Sequence, residues 1–443
     1  MNAGIRPVRT QAELGLVDVY TTSRQGLPGG SDISAVRAAA FNHFVLSGLP
    51  HPRVEAWKYT DLRRLMRDAK PLAAPPDAEA KARAHDAGGL FAALGFRRLL
   101  VINGSFVPQL SDLDGLEAGL LVRSMADALA LDEPLLSQGL GPMVPADDPA
   151  LALNTALAGD GVVITVSPNV VIERPIHLVF VNTGAAPAAM VTRSLVVVGG
   201  GARATFVETH EGRDQSDYQV NTVLQLVVGD EAQVDHVKIT REGSAAIHVA
   251  TLLANIGARA KFNEFGFTSG GAVVRNQQFV LLAGEGTEAN LRGLSLLADR
   301  QHVDTTLAVD HAAAGSQSRE VFKAVVDDEA RAVFQGKIRV RPKAQKTDAK
   351  MKTRALLLSD SAEADGKPEL EIFADDVQCG HGATSGTLDD QLKFYLMARG
   401  IPQKEAEALL IQAFAAEVVE AIEHDGLREA LMEATVAWLG QRG

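Results

Sequence analysis

The chain has 443 residues, of which 46% are hydrophobic and 22% are charged, proportions typical of a protein that folds. This length is too great for one ordinary globular core, so we expect two or three structural parts or a solenoid. The net charge of −12 disfavours a nucleic-acid-binding protein, which needs a basic surface. The single cysteine excludes an internal disulfide and cannot by itself supply the thiolates of a structural zinc or iron–sulfur site.

Membrane association is not expected. No apolar run reaches the roughly 18 to 20 residues that a membrane helix needs. The first stretch, MNAGIRPVRTQAELG, has no apolar segment typical of a signal peptide. We therefore expect a cytoplasmic protein.

Residues 1–150 are predicted to form an N-terminal region that is mostly helical, with short strands. Ser31 and Asp32 are typical of a helix start in DISAVRAAAFNHFVLSGLP, where apolar residues follow at helical spacing. FRRLLVINGSFVPQL predicts two short strands joined by a turn at Asn103 and Gly104. These patterns predict a small mixed α/β region.

Residues 151–384 are predicted to be a β core, because two-residue alternation replaces helical periodicity there. A small turn followed by alternating residues recurs at roughly 26 to 30 residues, the period of a stacked solenoid. The recurring segments are GGGARATF, VGDEAQVDH, IGARAKFNE, GEGTEANLR and, later, DDEARAVFQ. We therefore predict a long β-helix, with a two-sheet sandwich as the competing interpretation.

Residues 385–443 are predicted to be a C-terminal helical domain. Thr387 is a candidate cap for a helix that ends near Gly400, and Pro402 opens the next helix. Apolar residues then form a stripe at four-residue steps: Ala406, Leu410, Phe414, Val418 and Ile422. Such a stripe is usually buried against its own domain, and docking of a partner protein is the alternative.

The chain lacks the common signatures of nucleotide and peptide chemistry. It contains no G-x-x-x-x-G-K-[ST], H-E-x-x-H or G-x-S-x-G motif. GGGARATF leads into a strand, whereas a dinucleotide site needs a helix there, so a turn is the better interpretation. His302 and His311 are nine residues apart in QHVDTTLAVDH, and we interpret them as structural histidines.

The segment DDVQCGHGATSG holds the single cysteine, Cys379, two residues before His381. On a strand, residues i and i+2 project to the same face roughly 6.5 Å apart, so a thiolate and an imidazole could reach one metal ion or one partner group. Asp375 shares that parity if the strand is unbroken, and Gly380 and Gly382 leave the backbone open. An ordinary turn is the alternative.

Two segments resemble the SufB/SufD family of the SUF iron–sulfur cluster assembly system. They are EAWKYTDL, at residues 55–62, and AQKTDAKMKTRALLLSDSAEADGKPELEIFADDVQCGHGATSGTLDDQLKFYLMARGI near the C-terminus. The resemblance implies a mainly β fold, with a right-handed parallel β-helix core between an N-terminal mixed α/β region and a C-terminal helical domain. The chain departs from the family pattern at Gly380, where serine is common, and at Met351, where glutamine is usual.

The same resemblance implies a function. The chain would be a non-catalytic scaffold that pairs with SufB through the β-helices and binds the ABC-type ATPase SufC through residues 385–443. Cys379 and His381 would fall on a Cys-x-His element at the SufB interface, with His381 the stronger candidate ligand. No cofactor is expected to be permanently bound; an iron–sulfur cluster or iron would be held transiently and shared with SufB. The isolated chain could form a homodimer.

A rival from another class is a β-helix enzyme acting on carbohydrates through acidic and basic residues on one face of the solenoid. The aromatic content of 5% argues against a groove that stacks sugars. A self-associating structural solenoid is the third alternative.

Overall fold

The structure is a computed structural model that describes residues 9–131, 133, 147–184 and 186–441. Its α-helices are α1 (Gln11–Ser23), α2 (Ser31–Ser47), α3 (Leu62–Leu65), α4 (Ala78–Arg83), α5 (Met125–Ala130), α6 (Pro149–Leu157), α7 (Asp390–Met397), α8 (Gln403–Val419) and α9 (Asp425–Gln441). Three 3-10 helices span Glu55–Trp57, Gly89–Leu94 and Pro108–Leu110. The strands are β1 (Arg97–Ile102), β2 (Ser105–Phe106), β3 (Leu120–Ser124), β4 (Val162–Val166), β5 (Ile176–Asn182), β6 (Ala188–Val198), β7 (Arg203–Gly212), β8 (Tyr218–Val228), β9 (Gln233–Arg241), β10 (Ile247–Ile256), β11 (Lys261–Thr268), β12 (Val273–Leu282), β13 (Glu288–Leu297), β14 (His302–His311), β15 (Gln317–Val326), β16 (Arg331–Val340), β17 (Asp348–Leu357), β18 (Glu363–Ile372) and β19 (Gln378–Gly386).

The strands alternate between two sheets. From β4 onward the even-numbered strands form one sheet and the odd-numbered strands the other, and each strand pairs in parallel with the next member of its own sheet. Each coil is therefore one strand from each sheet. A sandwich would join neighbouring strands antiparallel, so the parallel solenoid is confirmed and the sandwich interpretation is wrong.

Register explains why the sequence repeats. Lys261 of β11 pairs with Gln233 on one side and with Glu288 on the other, so one coil separates equivalent residues. The recurring turns stack closely, because a Cβ at Gly284 would overlap the backbone nitrogen of Ala258. Arg259 adopts the left-handed conformation with φ of 53° at the same turn. The regular spacing of small residues at the turns therefore follows from the stacking of the coils.

The interior of the coils is filled by residues that share the inward parity of each strand. It contains apolar side chains from both sheets, including Phe206, Leu226, Phe262, Val280 and Leu291. Burial of a side chain of this size stabilises the fold by roughly 1.5 to 3 kcal/mol. Stacking of the coils makes this core continuous along the solenoid axis.

The N-terminal region covers the outer face of the even-numbered sheet. α6 contacts β6 and β8, and α2 packs against α6. α2 begins at Ser31, as the sequence predicts, although Gly30 occupies the cap position. The predicted turn at Asn103 and Gly104 is also confirmed, because β1 and β2 pair antiparallel across it.

A buried ion pair fixes the N-terminal region to the β-helix. Arg275 of β12 and Asp304 of β14 pair with both side chains fully buried. The Arg275 guanidinium lies 4.4 Å from the Trp57 ring centroid, and Thr60 donates a 2.5 Å hydrogen bond to Asp304. Trp57 and Thr60 belong to the EAWKYTDL segment, so that motif has a docking role in the fold.

The C-terminal helices cover the outer face of the odd-numbered sheet. Ile411, Ala415 and Val418 of α8 pack with buried residues of β9, β11 and β13. Lys323 of β15 donates hydrogen bonds to the Phe414 carbonyl at 2.6 Å and to Glu417 at 2.5 Å. Of the predicted stripe, Val418 and Ile422 are buried against the chain's own β-helix and Phe414 is half-buried there. The buried face also includes Ile411 and Ala415, each one position after a residue of the predicted stripe.

The cap predicted for the first C-terminal helix is wrong. α7 begins at Asp390, and the Asp389 carboxylate accepts hydrogen bonds from the Gln391 and Leu392 amides. Thr387 precedes this cap by two residues, because β19 continues as far as Gly386. An aspartate cap has the same physical basis, since its oxygen satisfies amides at the open helix end.

Within the described residues, no helix is long and apolar enough to cross a membrane.

Candidate functional site

β19 carries both predicted site residues and lies at the edge of the odd-numbered sheet. Its one paired neighbour in the described chain is β17, where Cys379 is opposite Ala349 and His381 is opposite Met351. Most of the strand is exposed, in contrast to β15, where every second residue or more is buried. The predicted pair is therefore brought to an open end of the β-helix.

Cys379 sits on the boundary between core and solvent. Its side chain is half-buried and packs against the interior apolar cluster. Burial raises the pKa of the Cys379 thiol, with smaller contributions from Asp348 and Glu320, while the Ala349 amide opposes the shift. At neutral pH the protonated thiol is the stable form, so this cysteine is a weak nucleophile until a metal or partner displaces the proton.

His381 is exposed and occupies the next position of the same parity. Gly380 and Gly382 flank it, and a Cβ at either glycine would meet no atom within 4 Å. The backbone here is therefore accessible from the side opposite the two functional groups. Such access suits close approach by another chain.

Asp375 does not join the pair. β18 ends at Ile372 and β19 begins at Gln378, so Asp375 lies in the turn between the two strands. The strand parity that would have placed its carboxylate beside Cys379 and His381 is interrupted. The condition of an unbroken strand, on which the prediction for Asp375 depended, is not met.

The chemistry of the pair follows from donor type and number. Thiolate sulfur and imidazole nitrogen are good ligands for iron and zinc. An iron–sulfur cluster is held by about four protein ligands, and β19 offers two. If these two residues bind a cluster, a second surface would have to supply the remaining ligands.

His381 also terminates an inward-facing row of residues along the odd-numbered sheet. The register aligns Phe206, His236, Glu264, Leu291, Glu320, Met351 and His381 across successive coils. Glu320 is fully buried, and neither of its carboxylate oxygens has a hydrogen-bond partner. Burial raises the pKa of the Glu320 carboxyl to about 7.

The two histidines of β14 have structural roles, as predicted. His302 lies 2.9 Å from the Thr60 hydroxyl, at the contact with the N-terminal region. His311 is buried between the Ser316 and Ser318 hydroxyls, at 2.8 and 2.9 Å. They stand at opposite ends of one strand, so they cannot converge on a shared ion.

The sequence analysis missed a group of buried polar residues inside the β-helix. Its buried members are Glu208, His210, His236, Glu242, His248 and Glu264, and the half-buried Lys238 lies among them. A signal was present, because Glu208 and His210 share strand parity with the apolar residues Ala204 and Phe206. Charged residues in phase with a core-facing row are unusual and would have marked the interior of the coil.

The fold is a parallel β-helix whose candidate ligands, Cys379 and His381, lie on an open edge strand. Comparison with known proteins then identifies the family. The SUF system FeS cluster assembly, SufBD core domain, matches residues 180–414, and the SufBD protein N-terminal region matches residues 10–178. The chain belongs to the SufB/SufD family of the SUF iron–sulfur cluster assembly system.

Individual relatives show which members of that family this chain is similar to. The chain is 33% identical over 400 residues to the iron–sulfur cluster assembly protein SufD of Escherichia coli, covering 89% of this chain and 90% of that protein. It is 32% identical to an iron–sulfur cluster assembly SufBD family protein of Synechocystis, covering 84% of each chain. SufD of Bacillus subtilis is 29% identical over 63% of this chain and 64% of its own. These findings support the SufD type and give no support to the carbohydrate-active alternative.

Proposed function

We propose that this chain is the SufD-type scaffold subunit of a cytoplasmic SUF complex. In this proposal it pairs with SufB through the β-helices and binds the ATPase SufC through its C-terminal helices, while ATP hydrolysis resides in SufC. His381, with Cys379, contributes to a nascent iron–sulfur cluster that the two β-helix subunits share. The cluster is cargo that is built and passed on.

One observation carries the proposal: both sheets end in open edges at the same end of the solenoid. β18 and β19 are the last strands of their sheets, and no strand of the described chain pairs with their outer sides. Pro368 lies within β18, and proline is tolerated at a sheet edge because it has no amide hydrogen to donate. The opposite end finishes in the short antiparallel strands β2 and β3. Open edges are templates for pairing with another chain, and a partner β-helix would extend both sheets.

Apolar exposure next to that edge supports the same partner. Ile372 and Phe373, at the end of β18, are 41% and 57% exposed. Adjacent apolar side chains beside unpaired backbone are typical of a protein interface. A second copy of this chain could use the same surface when SufB is absent, and the isolated chain would then form a homodimer.

For SufC, α7 is the best-supported docking surface. None of its residues is buried, and four of its side chains are large, apolar and exposed: Leu392, Phe394, Tyr395 and Met397. The apolar stripe of α8 is unsuitable, because it already packs against the chain's own strands. Aromatic side chains on an exposed helix are frequent energetic anchors of interfaces.

The donors of β19 explain why two subunits are needed. This chain supplies at most one thiolate and one imidazole there, so SufB would provide the remaining cluster ligands. Binding of ATP to SufC would move the two β-helix subunits relative to each other and expose the junction that contains His381. His381 is the stronger contributor, because its ring is exposed while burial raises the pKa of the Cys379 thiol.

The experiment is cluster formation in the co-expressed SufB–SufC–SufD-type complex with His381→Ala in this chain. We expect assembly to be retained and bound iron and acid-labile sulfide to fall several-fold, whereas Cys379→Ser should have a milder effect. Thr384→Ala is the matched control, since Thr384 is also exposed on β19 and offers no imidazole. An assembled His381→Ala complex that forms clusters at the full rate would show that this histidine has no role in assembly.

A further inference from the structure

Three buried side chains inside the β-helix form a potential metal site away from β19. His210 of β7, Glu242 just after β9, and His248 of β10 are 1%, 6% and 0% exposed. Each offers one ligand atom, and these atoms lie within 4.8 Å of one another. Among the residues that the structure describes, this is the one group of three such side chains that meets that separation.

His210 differs from Glu242 and His248 in its hydrogen bonds. His248 Nδ1 lies 2.9 Å from Glu242 Oε1, and His248 Nε2 lies 3.1 Å from the Lys238 Nζ atom. The Tyr218 hydroxyl donates a 2.7 Å hydrogen bond to the other Glu242 oxygen. His210 has no hydrogen-bond partner on either ring nitrogen. The nearest carboxylate oxygen of Glu208 is 3.9 Å from His210 Nε2, too far for a hydrogen bond.

The orientation of His210 is nevertheless fixed. Its ring stacks on Phe180 with centroids 4.5 Å apart, and it meets the His248 ring edge-on at 4.9 Å. Burying an imidazole whose ring nitrogens have no hydrogen-bond partner costs free energy. An imidazole without hydrogen-bond partners, held beside a second histidine and a carboxylate, is typical of a side chain that binds a metal ion.

Space at the cluster suits one small cation, and Glu242 offers it a buried carboxyl group. The half-buried Lys238 lies among these side chains. A cavity of about 20 Å³ is lined by His210 and Glu242. This volume is enough for one water-sized occupant and too small for an organic ligand.

We propose that His210, Glu242 and His248 bind one divalent transition-metal ion, Fe²⁺ or Zn²⁺, inside the β-helix. Two imidazoles and one carboxylate form the donor set that both ions use in proteins. Metal–ligand bonds of about 2.0 to 2.2 Å place neighbouring ligand atoms about 3 to 3.5 Å apart. His248 Nδ1 and Glu242 Oε1, 2.9 Å apart, are already close to that spacing. His210 would therefore have to move furthest when the metal binds.

Binding can be measured on the full chain alone, with Co²⁺ as the probe. The starting protein carries Cys379→Ser and His381→Ala, so the donors of β19 cannot contribute. Chelated and desalted protein is titrated with Co²⁺, the ligand-field absorption is recorded, and the bound metal is counted by mass spectrometry. We expect one Co²⁺ per chain.

The decisive variant is His210→Phe. Phenylalanine keeps the stacking on Phe180 and removes both nitrogens, and no hydrogen bond is lost. We expect the affinity for Co²⁺ to fall by about 10- to 100-fold or more. Glu242→Gln, which keeps an acceptor for Tyr218, is the second variant and should weaken binding in the same way.

His177→Phe is the matched control, because His177 is a fully buried histidine on β5 that contacts Thr209 outside the cluster. It should leave Co²⁺ binding unchanged. The inference is overturned if the starting protein retains no cobalt, or if folded His210→Phe and Glu242→Gln proteins bind it as tightly as the starting protein. The readout is metal binding by one chain, so neither result depends on whether the proposed cluster-assembly role is correct.

Discussion

Replacing Glu320 with glutamine is predicted to stabilise the protein increasingly as the pH rises. Glu320 lies between Leu291 and Met351 in the inward-facing row of the odd-numbered sheet. It is fully buried, and both of its carboxylate oxygens lack a hydrogen-bond partner. Glutamine has nearly the same shape and carries no charge at any pH, so the substitution isolates the effect of ionisation.

The magnitude follows from the two pKa values of this carboxyl. Burial raises the pKa in the folded chain to about 7 from an ordinary value of 4.5. Between these values the folded state binds more protons than the unfolded state, so stability is lost as the pH rises. A difference of this size corresponds to a loss of up to about 3 kcal/mol by pH 8.

The assay is urea unfolding of the parent and the Glu320→Gln variant at about pH 5 and about pH 8. The difference in unfolding free energy between the two proteins should grow by up to about 3 kcal/mol in favour of the variant. Glu288→Gln, at an exposed position of β13, controls for the general effect of removing a carboxylate. If the difference is the same at both pH values, the Glu320 carboxyl does not carry a raised pKa and the reasoning is refuted.

Three further predictions concern other parts of the chain. Arg275→Met should lower the free energy of unfolding by about 3 to 5 kcal/mol, because it leaves Asp304 buried without its partner, and Arg275→Met combined with Asp304→Leu should cost less in the same urea experiment. His311→Asn should remove a loss of stability on acidification. Burial lowers the pKa of His311 from 6.5 to about 4, so between these pH values the unfolded chain binds a proton that the folded chain does not, and the folded state loses stability. Phe394→Ser with Tyr395→Ser should reduce retention of SufC in pull-downs with no change in melting temperature, since both side chains are exposed; unchanged retention would move the docking surface away from α7.

The architecture of the β-helix could be predicted because its cause is local and repeated. Each coil repeats an alternating strand and a small turn, and neighbouring coils pair residues 26 to 32 positions apart, from Ile247 with Val273 to Arg331 with Glu363. The repeat period therefore predicts both where the strands lie and which strand each one pairs with. The position of Cys379 and His381 on one strand also followed from two-residue spacing.

Features that depend on the boundaries between elements could not be predicted as well. The break between β18 and β19 removes Asp375 from the Cys379 strand, and the extra length of β19 moves the helix cap from Thr387 to Asp389. Both outcomes depend on where a strand stops, which alternation alone does not specify. The domain limits at residues 150 and 384 remain predictions.

The buried cluster around His210 was missed for a different reason. Parity with Phe206 places Glu208 and His210 on a core-facing row, but alternation does not say which residues of other strands they meet inside the coil. Sequence alone also could not bring together His210 and His248, which belong to different sheets. Their proximity follows from closure of the coil across both sheets.

The most direct test of the central claim is the mass of the native complex that this chain forms with SufB and SufC from the same cell. The account predicts a mixed assembly that contains this chain, SufB and SufC, in which a charge placed on the open strand, Thr384→Lys, releases SufB while SufC stays bound. Recovery of this chain only as a monomer or homodimer, with both partners present and folded, would contradict it.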